Sequence, residues 1–485
     1  MAPCLRTLGC ALHLRRGGRK PAPGSQLLGR PASASGPLND ERALVTKIGR
    51  WAVPVFLLGA IVSTSYPSFG GPTAAPNPRG TRGWNAPVEV HREQSHRETS
   101  IALSPTDPDL MIVCAPSGVP ATSNKQSYFH LSHDGGQTWE PEKVEGDATD
   151  TRNYAYEGGD CDVTFDQGGT MYSGDTWVGN LSIGHSFDKG ETWQGTALTA
   201  TGLIVDRPWL VGGPKGTLHV SYQDLQCCTP STIWYTRSDD FGTTFRPTVP
   251  VADAGPDGAF TWQGNFVVSK DEQDLYLVYS RRQGPAVGSL DEQGPETLWV
   301  AASHDGGITW QSHLVADMPN PVSYLYPSIA MDKNGYIHVV FSSRGSNDRP
   351  IWYAMSKDGE KWTKPLALSR GGAGFSPWIA MDDAGNAAIV WYGSPDPEAF
   401  DTGKFDWYMY WARVTNPGAP NQKVTSGPTT TKPLFTGQSD IPEFEMVALD
   451  DQGRMHIGAS VFLAKTPPGT PNPQGGWVII YQREK

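Results

Sequence analysis

Charged and aromatic residues recur at two kinds of place along this chain of 485 residues. Some open short apolar segments: Arg97, Glu98, Asp160, Asp162, Asp206, Arg207, Gln263, Tyr326, Ser376, Glu443 and Glu445. Others close longer apolar segments: Asp175, Asp224, Arg281, Arg282, Arg344 and Tyr392. Arginines converging on one point would hold a carboxylate, because each guanidinium presents a planar fork of donors that matches two oxygens. Arg207, Arg282 and Arg344 form the best triad for this, with Arg97 a fourth candidate. Glu98, Asp175 and Gln263 would add polar contacts to a ligand, and pairs of carboxyl groups would supply acid–base chemistry. Arg207 has an equally good structural use, an ion pair with Asp206 or with a carboxylate of a neighbouring unit.

Residues so far apart act together only if a repeated element returns the chain to one place. The motif Ser-x-Asp-x-Gly-x-Thr-Trp provides that element. It reads SHDGGQTW at 132–139, SFDKGETW at 186–193, SDDFGTTF at 238–245 and SHDGGITW at 303–310, with a shortened SKDGEKW at 356–362. The steps of 54, 52, 65 and 53 residues match one propeller blade. Asp134, Asp188, Asp240, Asp305 and Asp358 are structural: each carboxylate can accept hydrogen bonds from the N–H groups of its own turn. The glycine permits a positive φ, and the aromatic residue packs between units.

A second pattern frames the first. Ahead of each box come a short inner strand, a Gly/Asp turn, a longer apolar strand and a third strand that runs into the box. The inner strands read ETSIA (98–102), DCDVT (160–164), RPWLV (207–211), NFVVS (265–269), YPSIA (326–330), SPWIA (376–380) and FEMVA (444–448). These seven units predict an all-β, seven-bladed propeller; a six-bladed ring results if one box-less unit packs outside it. The chain ends on the third strand of unit seven, so PVEVHR (87–92) is expected to add the fourth and remove the open edge. In such a ring the inner-strand starts and second-strand ends meet in one central funnel, with the boxes on the opposite face. That geometry nominates the residues named above.

The net charge of −11 is unevenly spread. Eleven of the 39 basic residues but only two of the 50 acidic ones fall within 1–82, which leaves the body at −20. Such a body repels nucleic acid phosphates. Residues 1–46 read as a basic, disordered extension and 47–69 as a signal peptide or signal anchor around the apolar run Trp51–Val62. Residues 70–86 read as a linker, and 87–485 as the propeller. The apolar run is short for a membrane span and suits a signal-peptide core, so an extracytoplasmic protein, secreted or tethered, is expected. In that compartment Cys114, Cys161, Cys227 and Cys228 can form one or two disulfides.

Over residues 87–485 the boxes and their framing resemble the sialidase superfamily, the Asp-box or BNR-repeat proteins. The resemblance implies a six- or seven-bladed propeller with its chemistry in the funnel. Its sialidases hold a sugar carboxylate with three arginines, use a tyrosine assisted by a glutamate as nucleophile, and an aspartate as acid/base. On that resemblance Tyr326 is the nucleophile, Glu443 or Glu445 its activating base, and Asp160 or Asp175 the acid that protonates the leaving oxygen. The family's sialidases open their first inner strand with aromatic-Arg-Ile-Pro, whereas this chain has His96-Arg97-Glu98-Thr99 and lacks the Ile-Pro.

The function expected is therefore a sialidase-like glycoside hydrolase acting on glycans. The alternatives are a non-catalytic propeller that binds glycan or protein at a cell surface, and another polysaccharide-active enzyme, such as a lyase, on the same scaffold. A monomer without a cofactor is expected; Asp160 and Asp162 could present two carboxylates to one structural calcium. Neither a P-loop, a dinucleotide fingerprint, a G-x-S-x-G elbow nor H-E-x-x-H is present.

Overall fold

The structure, a computed structural model, describes residues 83–485 apart from 94–97, 117–126, 142–159, 178–179, 199–204, 225–231, 254–259, 283–295, 317–325, 344–347, 370, 400–405, 421, 432, 437–444 and 464–475. The predicted extension and hydrophobic segment lie outside these residues, as do Arg97, Arg344, Glu443 and the Cys227–Cys228 pair. Of Arg282 only the backbone is described.

Seven antiparallel sheets follow one another around a propeller ring. Their innermost strands are Ser100–Leu103, Cys161–Phe165, Val205–Gly212, Phe260–Val268, Ser328–Met331, Ala373–Met381 and Met446–Leu449. Six sheets run outward in chain order, and the sixth carries an additional short strand, Phe435–Thr436, paired with Asp406–Thr415. The seventh is completed from the other end of the chain: Val88–Glu93 lies antiparallel to Gly476–Arg483 as its outermost strand. Residues just ahead of it are tied to the same edge, with Asn85 N–H donating to Arg483 O at 2.9 Å and Lys485 N–H to Gly83 O at 2.7 Å.

Each sheet is covered on both faces by its neighbours, which explains why second strands lose the polar alternation of half-exposed sheets. Leu218–Asp224, Ile337–Ser342 and Ala387–Ser394 are buried at every position. Solvent-facing outer strands such as Lys423–Pro428 are exposed at alternate positions.

The boxes close the 3–4 turns as the motif predicts. In the first, Asp134 Oδ1 accepts the N–H groups of Gln137 and Thr138, both at 2.9 Å, while Thr138 Oγ1 donates to Asp134 Oδ2 at 2.6 Å. Asp188, Asp240 and Asp305 repeat the arrangement, and Asp358 keeps a tighter version with Glu360 and Lys361 N–H. The box glycine also faces the previous blade. A Cβ on Gly136, at φ +84, would run into the ring of Tyr481, and one on Gly307, at φ +86, into Tyr235. The box tryptophans Trp139 and Trp310 pack on those same tyrosines at 5.2 and 5.5 Å.

The tyrosines anchor a further repeat. In alternate blades a buried histidine near the start of the second strand bonds a tyrosine of the third through Nδ1. These are His219–Tyr235 at 2.7 Å, His338–Tyr353 at 2.7 Å and His456–Tyr481 at 2.8 Å. The opposite ring nitrogen faces a carboxylate: Glu272 at 3.0 Å, Asp332 at 3.7 Å and Asp450 at 3.1 Å. Between the first two blades a Cys114–Cys161 disulfide joins a second strand to the next inner strand. Among the described residues no helix is long and apolar enough to cross a membrane.

Candidate functional site

Three residues at inner-strand starts hold a backbone conformation that side chains disfavour. Arg207, Tyr326 and Ser376 have φ of 51, 67 and 49°, and each precedes a proline, which further restricts its backbone. At Arg207 and Ser376 the ladder slips, between Asp206 and Trp209 and between Phe375 and Trp378. A slip with a left-handed residue re-aims the side chain, and strain of this kind persists only where the surroundings over-determine it.

The surroundings do so at Arg207. Its Nη2 lies 2.7 Å from Glu98 Oε2 of the first blade and 3.5 Å from Asp160 Oδ1 of the second. The same nitrogen is 3.4 Å from the Tyr326 hydroxyl of the fifth. Its guanidinium carbon stands 4.5 Å from the centre of the Tyr326 ring and 5.5 Å from that of Trp209. The Arg207 side chain is 3% exposed, Glu98 9% and Asp160 17%, so four blades meet in one buried knot open on the Asp160 side. The backbone is held too: Arg207 N–H donates to Asp160 Oδ2 at 3.2 Å, and Gln263 Nε2 of the fourth blade donates to the Arg207 carbonyl.

These contacts sort the carboxyl groups by protonation state. Burial opposes ionisation of Asp160, but the Arg207 charge and hydrogen bonds with Asp206, Glu98 and Arg207 N–H outweigh it and hold the carboxyl well below its ordinary range. Burial likewise opposes the Arg207 charge, and Asp160, Glu98, Tyr326 and Asp206 more than restore it. Asp175 is the reverse case. Burial pushes its carboxyl well up, helped by the charge on Asp160, although Ser127 N–H at 3.1 Å and Ser127 Oγ at 2.9 Å donate to it. An ionised and a neutral carboxyl in one neighbourhood are the two states that acid–base chemistry at a sugar requires.

Asp162 is turned to a structural task. It accepts Ser100 Oγ–H at 2.5 Å, Val163 N–H at 2.9 Å and Leu210 N–H at 2.7 Å, stapling the first three inner strands. Burial, against these bonds, raises its carboxyl to about 7. Glu445, just ahead of the seventh inner strand, is fully buried, with its carboxyl pushed well up by burial, and neither oxygen has a hydrogen-bond partner at normal geometry. Among the described residues no group of three His, Cys, Asp or Glu side chains could hold a metal ion.

The structure thus gathers Glu98, Asp160, Arg207, Gln263 and Tyr326, and places Asp175 on the neighbouring ladder opposite Cys161. Arg97, Arg344, Glu443 and the Arg282 side chain lie outside the described residues. Sequence reasoning passed over Trp209 and Trp378, whose rings stand 5.2 Å apart although they belong to the third and sixth blades. Their signal was present in the repeated Pro-Trp of RPWLV and SPWIA. Arg349 was also missed. It is 4% exposed, precedes a proline as Arg207 does, and its backbone bonds Gly372 and Gly374 at the entrance to the sixth blade.

A family model described as a BNR repeat-like domain matches residues 75–339. Similar solved structures include an α-L-arabinofuranosidase from Fusarium graminearum in complex with an iminosugar inhibitor. It is 15% identical, with a TM-score of 0.45 over 71% of this chain and 97% of that one. Another is an α-L-arabinanase from Penicillium chrysogenum complexed with arabinobiose, 13% identical, with a TM-score of 0.44 over 82% and 98%. A leech intramolecular trans-sialidase is 13% identical, with a TM-score of 0.38 over 76% and 65%. No curated protein has a sequence that matches this one. Likeness at this level identifies neither a substrate nor a reaction.

Proposed function

The chain belongs to the BNR repeat-like domain family, and we propose that it is a glycoside hydrolase working outside the cytoplasm, with its chemistry at the Arg207 knot. The observation that carries this reading is the convergence of Glu98, Asp160, Arg207 and Tyr326 from four blades on one buried point. Tyr326 is the nucleophile in this reading: its hydroxyl oxygen bonds the anomeric carbon as the glycosidic bond breaks, its proton passes to Glu98, which shares Arg207 Nη2 with that hydroxyl, and the guanidinium supplies positive charge beside the oxygen. Asp160, held ionised, stabilises positive charge as it develops on the sugar, and Asp175, held neutral, is the proton donor. Glu98 and Gln263 position Arg207. The buried Cys114–Cys161 disulfide supports an oxidising compartment.

The test uses the full chain and a panel of fluorogenic aryl glycosides. Turnover of at least one sugar is expected, falling about 100-fold or more in each of Tyr326→Phe, Asp160→Asn and Asp175→Asn, since each removes one acid–base or nucleophilic role. Turnover untouched by all three would place the chemistry elsewhere. A second reading, a glycan-binding propeller without turnover, is favoured by how deeply Tyr326 and Arg207 are buried, each at 3% exposure.

A further inference from the structure

We propose that the Cys114–Cys161 disulfide is a positioning bond of the site, holding the carboxyl groups of the first two blades where the reaction needs them, an inference that rests on reading the Arg207 knot as the glycan site. Glu98 of the first blade and Asp160 of the second reach the same nitrogen of Arg207, at 2.7 and 3.5 Å. A small change in the gap between these blades therefore alters both contacts. The disulfide spans that gap at the level of the knot. Cys161 directly follows Asp160, and Cys114 stands opposite Ser100 on the ladder of the first blade, two positions beyond Glu98. Arg207 Nη2, Asp160, the disulfide, Ser100 and Glu98 form one closed circuit of bonds and contacts. Among the described residues it is the one disulfide that ties two blades together.

Successive side chains of a strand point to opposite faces, so one short segment can be held from one side and work on the other. Cys161 is bonded to the first blade, whereas its two neighbours accept from the third: Asp162 from Leu210 N–H at 2.7 Å and Asp160 from Arg207 N–H at 3.2 Å. The Asp160 backbone is pinned as well, its N–H donating to Thr176 Oγ1 at 2.8 Å and its carbonyl accepting Thr176 N–H at 3.0 Å. Asp175, the proton donor of the proposed reaction, faces Cys161 across the ladder, and Ser127, just ahead of the third strand of the first blade, bonds its carboxyl. Both cysteines are buried. Cutting the bond frees the seam between the blades to admit water at the rung that carries the donor. Burial, and after it the charge on Asp160, keeps Asp175 protonated, so wetting that rung lowers its pKa.

The experiment compares the wild-type full chain with the Cys114→Ser/Cys161→Ser variant on the aryl glycoside that the wild type turns over best, well below both unfolding temperatures. The expected result is kcat lowered about tenfold or more with KM changed less than about twofold, because misplaced groups lose rate rather than substrate binding. The basic limb of the kcat–pH profile should also move down by about one pH unit or more, since Asp175 gives up its proton more readily. Gly136→Ala, which strains a box turn at the other end of the strands, controls for lost stability and should leave that limb in place. If the serine pair does not fold, the comparison is made on wild type folded with the bond intact and then opened by a phosphine, the two sulfurs being reduced to thiols as the phosphine becomes its oxide. An unchanged kcat and limb, or a limb that moves equally in Gly136→Ala, overturns the inference and leaves the hydrolase reading standing. A wild type inert towards every glycoside overturns both.

Discussion

Arg207 Nη2 and Glu98 Oε2 are 2.7 Å apart, and 109 positions of chain separate the two residues. The contact ties the third blade to the first across the second. It does so through a residue whose own backbone is strained, at φ 51° and ahead of a proline. Ring geometry and site geometry are therefore one construction.

Removing the guanidinium should expose that dependence. Arg207→Ala leaves Glu98 and Asp160 buried without their counter-charge, and breaking a buried pair from one side costs about 3–5 kcal/mol. Denaturant unfolding of Arg207→Ala, Glu98→Gln and the double variant should give a coupling energy above about 1 kcal/mol. Additive single effects would mean that the two side chains do not share one interaction.

The Cys114–Cys161 bridge closes a loop across a sequence separation of 47. On the chain-entropy model a loop of that size contributes roughly 4 kcal/mol. Replacing both cysteines by serine, or reducing the wild type, should lower the unfolding temperature by a similar amount in either case. A reductant effect that persists in the double serine variant would assign the stabilisation to other cysteines.

The buried histidines predict acid sensitivity. Burial lowers the folded-state pKa of His219 and His456, against the pull of their carboxylates, and pushes His338 down to about 4. A folded pKa below the unfolded value means that the unfolded chain binds the proton more readily. The stability contributed is therefore complete above about pH 6.5 and is lost as pH falls towards 4. His338→Gln should flatten the acid limb of a plot of unfolding temperature against pH between these limits. An acid limb unchanged in shape would remove His338 as its source.

Two glycines with similar backbone angles separate strain from packing. Gly335, at φ +80, has nothing within 4 Å of where a Cβ would stand, whereas Gly136, at φ +84, faces the Tyr481 ring. Gly335→Ala should cost only the left-handed penalty of about 1–2 kcal/mol. Gly136→Ala should cost about 1–3 kcal/mol more, because the ring of the neighbouring blade must move. Equal losses in a melting experiment would show that the box glycine is kept for its backbone alone.

The boxes were legible in the sequence because each is local: Asp134 bonds atoms three and four residues away, and turn chemistry of that range is written in consecutive residues. Blade count followed from repetition, and Val88–Glu93 as the closing strand followed from the missing fourth strand of the last unit. Arg207 and Tyr326 were legible as funnel residues because their place in the repeat implies where they stand. Their partners were not. Which carboxylate reaches Arg207 depends on how seven sheets are rotated about a common axis, and Asp206, next to it in sequence, was as good a choice as Glu98. The left-handed conformation at Arg207, Tyr326 and Ser376 runs against local preference and is imposed by the ring, so no local rule announces it. The Trp209–Trp378 contact depends on the width of the hole between opposite blades. The histidine triads join a strand start, the next strand and a turn, and Glu272 even belongs to the following blade.

Pairing of Val88–Glu93 with Gly476–Arg483 also dictates a schedule. The strand that completes the ring is among the first of the propeller to leave the ribosome, and its partner is the last. At synthesis rates of about 5–20 residues per second, the early strand waits roughly 20–80 s for its neighbour. Throughout that interval it presents an unpaired edge to every other chain in the vicinity. Yield in a living cell should therefore depend on how well that waiting strand is shielded, and a chain cut a few residues short at its far end should aggregate even with its other six blades intact.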